Sequence, residues 1–367
     1  MKSIAHTVQK REHISARLRD IPARQRTLFT VALLAGLVLP CAAQRLDDPR
    51  VTDLVKRGID LAGHQRYSEA RVSFDEVIRT APEHPAGYLN KAILLEVMSL
   101  DFETPVPQPE FDRLLERTET LCERILEKNE RSVEGLYYMG MVHSYIAYYK
   151  FRDGENWLSG LRHGFIANGY LEDCLALHPG HLDALTSLGT YKYWKSKKMS
   201  FLTWTPFVDD ESIAGIDYLR LAERAPTTGA QASNSLIWIY IEEERFADAI
   251  RTAQNVLRKY PENRLFLWGL ASAAERKGDL RLAIEAYRRI LASLDKEVLE
   301  RRYIEIQARA KIARHSFQIG EKDTAATECA WVLANARVNP AEFTPDGASR
   351  IKKRVADMEK LRTELKK

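Results

Sequence analysis

Along this chain a small residue keeps returning with a bulky one four places later. Ala70 is followed by Phe74, Ala167 by Leu171, Ala214 by Tyr218 and Ala283 by Tyr287, while Ala249 and Ala325 are followed by Ala253 and Cys329. A four-residue step keeps both side chains on one helix face. The step from Ala214 to Ala249 is 35 residues and from Ala249 to Ala283 it is 34. Prolines stand twelve places after four of the small residues, as Pro82, Pro179, Pro226 and Pro261, where a proline ends a helix because it cannot continue the hydrogen-bond ladder. A period of this length predicts an all-α array of stacked helix pairs, an architecture commonly used for binding.

Taking Pro82 as position 32 of a 34-residue unit starts that unit at Val51 and puts Gly58 at position 8, Ala70 at 20 and Phe74 at 24. The segment resembles the tetratricopeptide repeat family, whose units are two antiparallel helices, A and B. Small residues at 8 and 20 let the helix backbones approach, and a bulky residue at 24 fills the space beside them. Gly140 and Gly189 take position 8 in later units. Tyr240 and Ala249 frame a further unit, and Ala271, Gly278, Ala283 and Tyr287 frame the next. Degenerate units are marked by Ala92, Thr118 and Cys122 and by Ala313, Gly320, Ala325 and Cys329. About seven units are expected between residues 51 and 339, in a right-handed superhelical solenoid. Extra residues at 102–108, 151–157 and 195–209 predict either protruding A–B turns or longer helices. From Pro345 to Lys367 one amphipathic helix carries Ile351, Val355, Met358 and Leu361 on one face, as a cap for the last repeat.

The N-terminus changes the charge balance. The whole chain carries a net +4, yet residues 1–43 hold seven basic and two acidic side chains, so residues 44–367 carry −1. A nearly neutral body is unsuited to general polyanion binding, which needs many Lys/Arg–phosphate contacts. The basic stretch precedes an apolar run of about 12 residues, Leu28–Leu39, shorter than the roughly 20 that span a bilayer. Pro40 breaks the run, and Cys41-Ala42-Ala43 offers small residues before Gln44. The pattern predicts a cleaved export signal over 1–43, an array over 44–339 and a cap over 340–367. A periplasmic or secreted location follows, with an uncleaved inner-membrane anchor as the alternative. Cys122, Cys174 and Cys329 remain after cleavage, an odd number that makes no disulfide framework; they are expected as buried hydrophobes, with a Cys122–Cys174 bridge left open.

Chemistry is sparse. The chain lacks G-x-x-x-x-G-K-[ST], H-E-x-x-H and paired C-x-x-C. His178 and His181 flank Pro179-Gly180 at a turn without an evident third ligand, and His143 has no local nucleophile or orienting acid. Neither a metal, a cofactor nor an enzymatic activity is expected. The family resemblance instead implies a concave face lined by positions 2, 5, 9, 12 and 13 of helices A. Carried onto this chain, it gives a groove of Tyr137, Met141, Tyr145, Tyr193, Trp194, Asn234, Trp238, Trp268 and Glu275. Aromatics stand where a cationic carboxylate clamp would need Lys, Asn and Arg. The groove is expected to take an extended peptide or amphipathic helix of a partner protein, with about half of its rings packing between repeats instead. The segment 192–204, with Lys195, Lys197, Lys198, Phe201 and Trp204, mixes cations and aromatics and suggests peripheral membrane or partner contact. The function expected is a non-enzymatic scaffold of the cell envelope, binding a protein and no nucleic acid.

Overall fold

The computed structural model describes residues 48–153, 157–198, 210–294, 301–336 and 343–367, and Leu46–Lys367 form one compact unit. The expected export signal over 1–43 lies outside the described residues. The described residues form fifteen helices: α1 Pro49–Gly63, α2 Tyr67–Thr80, α3 Pro85–Phe102, α4 Gln108–Lys128, α5 Val133–Asp153, α6 Trp157–Leu177, α7 Leu182–Lys198, α8 Ser212–Ala222, α9 Gly229–Glu242, α10 Phe246–Leu257, α11 Arg264–Lys277, α12 Leu280–Ala292, α13 Arg301–Gln318, α14 Lys322–Asn335 and α15 Pro345–Glu364. The first fourteen make seven antiparallel pairs, with odd-numbered helices as A and even-numbered as B. The architecture is the expected all-α, right-handed superhelical solenoid.

Local chemistry sets the helix boundaries. Asp48 accepts a hydrogen bond from the Arg50 amide at 2.9 Å ahead of Pro49, and Thr344 caps α15 ahead of Pro345 by accepting from the Gly347 amide. Gly278 and Gly320 adopt left-handed φ values of 86° and 85° where α11 and α13 end. The extra residues of the second and third units lengthen helices rather than form large protrusions: α4, α5 and α6 are each 21 residues long, against 12 for α10 and 13 for α12. Most of the 195–209 stretch lies outside the described residues.

The small-to-large rule accounts for the packing within pairs. Phe74 lies against Gly58, and Leu171 against Gly140, at distances that a side chain at either glycine would fill. The fourth pair departs from the expected frame by one residue. Ala214 is exposed, and the close approach is made by Gly215 on Gly189 with Leu219 beside them. Two adjacent small residues (214, 215) and two nearby bulky ones (218, 219) make the frames equivalent in sequence; helix rotation decides between them. Val55, Phe74, Leu121, Leu171, Leu219, Leu236 and Ile290 run through the buried interior. The cap helix buries Ile351, Met358 and Leu361, with Val355 half-buried. It packs on α13 and α14.

The superhelix also meets itself. The turn after α1 docks onto the turn before α11, five repeats further on: Asn263 Nδ2 donates to the Gly63 carbonyl at 2.8 Å, Lys259 Nζ lies 3.0 Å from Asp60 Oδ1, and the His64 and Tyr260 rings meet edge-on at 5.1 Å. The end of α3 reaches the start of α11, where Asp101 accepts from Arg264 Nε at 2.7 Å and from its Nη2. Glu103 accepts from Thr344 Oγ1 at 2.7 Å and Arg350 Nη1 at 3.1 Å near the start of α15. Successive turns of the ribbon therefore stack edge on edge, A–B turns of units 1 and 2 against B–A turns at units 6 and 7.

Candidate functional site

Helices A place the nine expected groove residues very differently. Tyr193 is fully buried, donates its hydroxyl to Glu243 Oε1 at 2.7 Å, and meets Trp194 edge-on at 5.1 Å. Met141 is buried, and its sulfur accepts from Ser187 Oγ at 3.3 Å. Tyr137 is buried between the rings of Tyr138 and His181, at 5.1 and 4.6 Å. These three are interior side chains, not groove contacts: the faces that carry them turn into the contact between neighbouring repeats. Trp268 is half-buried and packs edge-on to Tyr287 at 5.4 Å.

Glu275 is a tie between repeats. It receives Lys311 Nζ at 2.5 Å and the Tyr287 hydroxyl at 2.9 Å, with His315 Nε2 at 3.5 Å. Burial alone would raise its pKa, but His315 and Lys311 outweigh burial and hold it at about 2. Its charge is used within the chain.

What remains open to solvent is a wall on α5, α7 and α9. Trp238 is the most exposed of the nine, at 40%. Tyr145 donates to Gln231 Oε1 at 3.3 Å, and Thr190 donates to Ser235 Oγ at 3.1 Å. Trp194 and Asn234 are half-buried beside them. The Asn234 amide oxygen has no hydrogen-bond partner among the described residues. These wall residues are uncharged. Exposed charges stand at the ends of the helices, as Glu242 on α9 and Arg276 on α11. An aromatic plate among hydroxyls and amides offers stacking area and neutral hydrogen bonding; it offers no nucleophile–base pair.

The basic segment is the last turn of α7 rather than a loop, as far as residue 198. Lys192 and Lys195 both donate to Glu211, and Lys192 lies 3.5 Å from Glu172. Lys197 lies 2.6 Å from Glu243, whose hydrogen bond raises the Lys197 pKa. Lys198 is exposed. Cations here also complement the helix C-terminus. Phe201 and Trp204 lie outside the described residues.

Elsewhere, His143 and His163 face each other with Nδ1 atoms 3.0 Å apart, and no group of three metal-type ligands occurs among the described residues. Cys122, Cys174 and Cys329 are free and buried. Burial raises the Cys174 thiol to about 11, so it is a hydrophobe rather than a nucleophile. Sequence periodicity did not anticipate the pairing of Asp101 with Arg264. The only local signal is an acid inside the apolar run Leu100-Asp101-Phe102.

Residues 235–298, from α9 through α12, match the family model described as Tetratricopeptide repeat. No curated protein matches the chain. Among solved structures, PilW, a type IV pilus biogenesis factor, is 13% identical, with 62% of this chain and 89% of that chain covered and a TM-score of 0.44. The C-terminal part of a TPR repeat-containing protein from Cytophaga hutchinsonii is 16% identical, with 84% and 98% covered and a TM-score of 0.44. YrrB, described as a TPR protein with an unusual peptide-binding site, is 17% identical, with 62% and 95% covered and a TM-score of 0.34. Helix pairing, the small-to-large packing and the match over 235–298 agree: the chain resembles the tetratricopeptide repeat family.

Proposed function

We propose that this protein is a non-enzymatic interaction scaffold of the bacterial cell envelope that holds an extended or helical segment of a partner protein against the wall around Trp238. The observation that carries the reading is Trp238 itself. It is a large ring, 40% exposed, on a helix whose other aromatic, Tyr240, is buried. Rigid aromatic side chains bury much area for little lost entropy and dominate interface energetics. Gln231 and Tyr145, on the same wall, supply amide and hydroxyl groups that match peptide N–H and C=O groups. Tyr145, Trp194 and Asn234 complete the wall, with Trp268 at its margin.

Export is part of the proposal. It rests on the sequence alone, on the basic stretch, the apolar run Leu28–Leu39 and the small residues before Gln44. No helix among the described residues is long and apolar enough to cross a membrane. The rival role for 192–204, peripheral contact with a membrane, is weakened because Lys192, Lys195 and Lys197 are engaged by carboxylates.

The test places a photo-crosslinking side chain at Gln231, two helical turns before Trp238 on the same face of α9, and a control at Val72, which is 68% exposed on α2. In intact cells a defined adduct forms from position 231, not from 72, and disappears with Trp238→Ala while the helical content is unchanged. Equal adducts from both positions, or an adduct indifferent to Trp238→Ala, overturn the assignment. Recovery of a mature chain beginning at Gln44 in a periplasmic extract tests the location separately.

A further inference from the structure

Neighbouring repeats are joined by apolar faces, whereas the contact between superhelical turns sets a buried polar network among apolar side chains that belong to one continuous core. At its centre the Asp101 side chain is 0% exposed and that of Arg264 6%. Asp101 also accepts from the Tyr67 hydroxyl at 2.8 Å and Gln65 Nε2 at 2.9 Å, and Arg264 donates in addition to the Ser293 carbonyl at 3.2 Å. The rim carries Lys259–Asp60 and Arg350–Glu103. Aromatic contacts supplement this lattice, with Phe102 under the Arg264 guanidinium at 5.4 Å.

Removing two ions from water is costly, and their attraction compensates only while the geometry holds. When such a contact parts, both charges regain hydration, which an apolar interface cannot do. The seam thus holds a buried pair that adds little net stability while intact and strongly destabilises when one partner is lost, which suits a switch rather than a fixed tie. It joins segments up to 247 residues apart, so parting it leaves every repeat's sequence neighbours in place.

We propose that this seam is a latch: the array exchanges between the closed turn and an open turn in which α1–α3 part from α11 and α15, with Asp101–Arg264 as the catch. Opening moves whole repeats relative to one another and separates α3 from α13, which touch when closed. The latch stands independently of what the Trp238 wall binds.

The test is single-molecule energy transfer on the full chain, with dyes on Lys56→Cys in α1 and Glu285→Cys in α12. Both are exposed positions. Cys41 is replaced by Ser, and the buried Cys122, Cys174 and Cys329 stay shielded. The expected result is a major closed population exchanging with a minor, lower-transfer one. Arg264→Gln raises the open-to-closed ratio by more than about tenfold, because removing one member of a buried pair strands the other. Helical content is retained. Lys259→Gln with Arg350→Gln, which touches only the rim, moves the ratio in the same direction by less, as does added salt. A single closed population unmoved by both variants and by salt overturns the latch. So does loss of helical signal in Arg264→Gln together with an unmoved ratio in the rim variant, which makes the seam a fixed element of the fold.

Discussion

One methyl group decides how closely two helices of a repeat can lie, and the consequence depends on what that methyl would meet. A Cβ at Gly189 would sit 2.6 Å from the Gly215 carbonyl oxygen and 3.1 Å from the Leu219 amide nitrogen. Both are backbone, so α7 and α8 must separate. A Cβ at Gly140 would meet the Leu171 side chain at 2.6 Å and the Ala167 carbonyl oxygen only at 3.3 Å, so the strain falls first on a side chain. Alanine gains about 1 kcal/mol of helix propensity over glycine, while overpacking costs about 1–3 kcal/mol. Gly189→Ala is therefore expected to destabilise by up to about 2 kcal/mol in urea denaturation, and Gly140→Ala by less. A reversed order would show that the pairs are not held by backbone approach. At this scale the sequence was largely legible. Ala70, Phe74, Gly140, Leu171, Ala283 and Tyr287 all take the places their spacing assigned. The fourth pair was misread at Ala214 because spacing cannot distinguish Ala214 from Gly215. Which of the groove candidates would pack between repeats, as Tyr137, Met141 and Tyr193 do, was not legible for a related reason: a bulky side chain on helix A serves equally well as groove or as core, and only the rotation of the neighbouring helix chooses.

Between elements, charge and burial tie each repeat to the next. Glu275 on α11 holds Lys311 and His315 of α13. Its carboxyl has a pKa of about 2 in the folded protein against roughly 4.3 unfolded. A depressed carboxyl contributes stability that is fully present above the unfolded value and lost as pH falls through the folded one. The window is thus about pH 4.3 down to 2. A shift of this size corresponds to at most about 3 kcal/mol. Glu275→Gln is expected to cost about 2 kcal/mol at neutral pH and progressively less below pH 4, when parent and variant are compared by denaturant titration across pH. A constant difference would remove ionisation as the cause. The cap supplies a second test. Cys329 Sγ donates to the Met358 carbonyl of α15 at 3.3 Å and is 2% exposed. Deleting residues 343–367 should open Cys329 to thiol reagents in native buffer, while Cys122 and Cys174, fully buried on helices that do not pack on α15, stay protected. Reaction of all three would mean global unfolding, and reaction of none would mean that α15 is not the cover.

For the whole molecule, the seam alters what kind of solid the array is. An open solenoid is quasi-one-dimensional: each repeat touches only its neighbours, and damage stays local. Here unit 1 also touches unit 6, a relation that a 34-residue period does not encode and that no inspection of one repeat reveals. Gly63 makes the consequence measurable. A Cβ there would stand 2.5 Å from the Tyr260 ring, which is 5% exposed and packs near Phe266 at 6.2 Å. Gly63→Val therefore presses on α10 and α11 although nearly 200 residues separate the sites. In a linear array, the substitution would loosen units 1 and 2 and leave unit 6 alone. In this one, hydrogen exchange is expected to accelerate around Tyr260–Phe266 as much as around Leu61–Tyr67, with α6, which packs on α5 and α7, unchanged. The variant tests closure as such, because its side chain is apolar and leaves Asp101 and Arg264 intact. Acceleration confined to α1–α3 would mean that the turns do not bear on one another in solution. Coincident acceleration on both sides would mean that the ends of the ribbon are coupled through space, and that stability at unit 6 is set partly by residues at the start of the array.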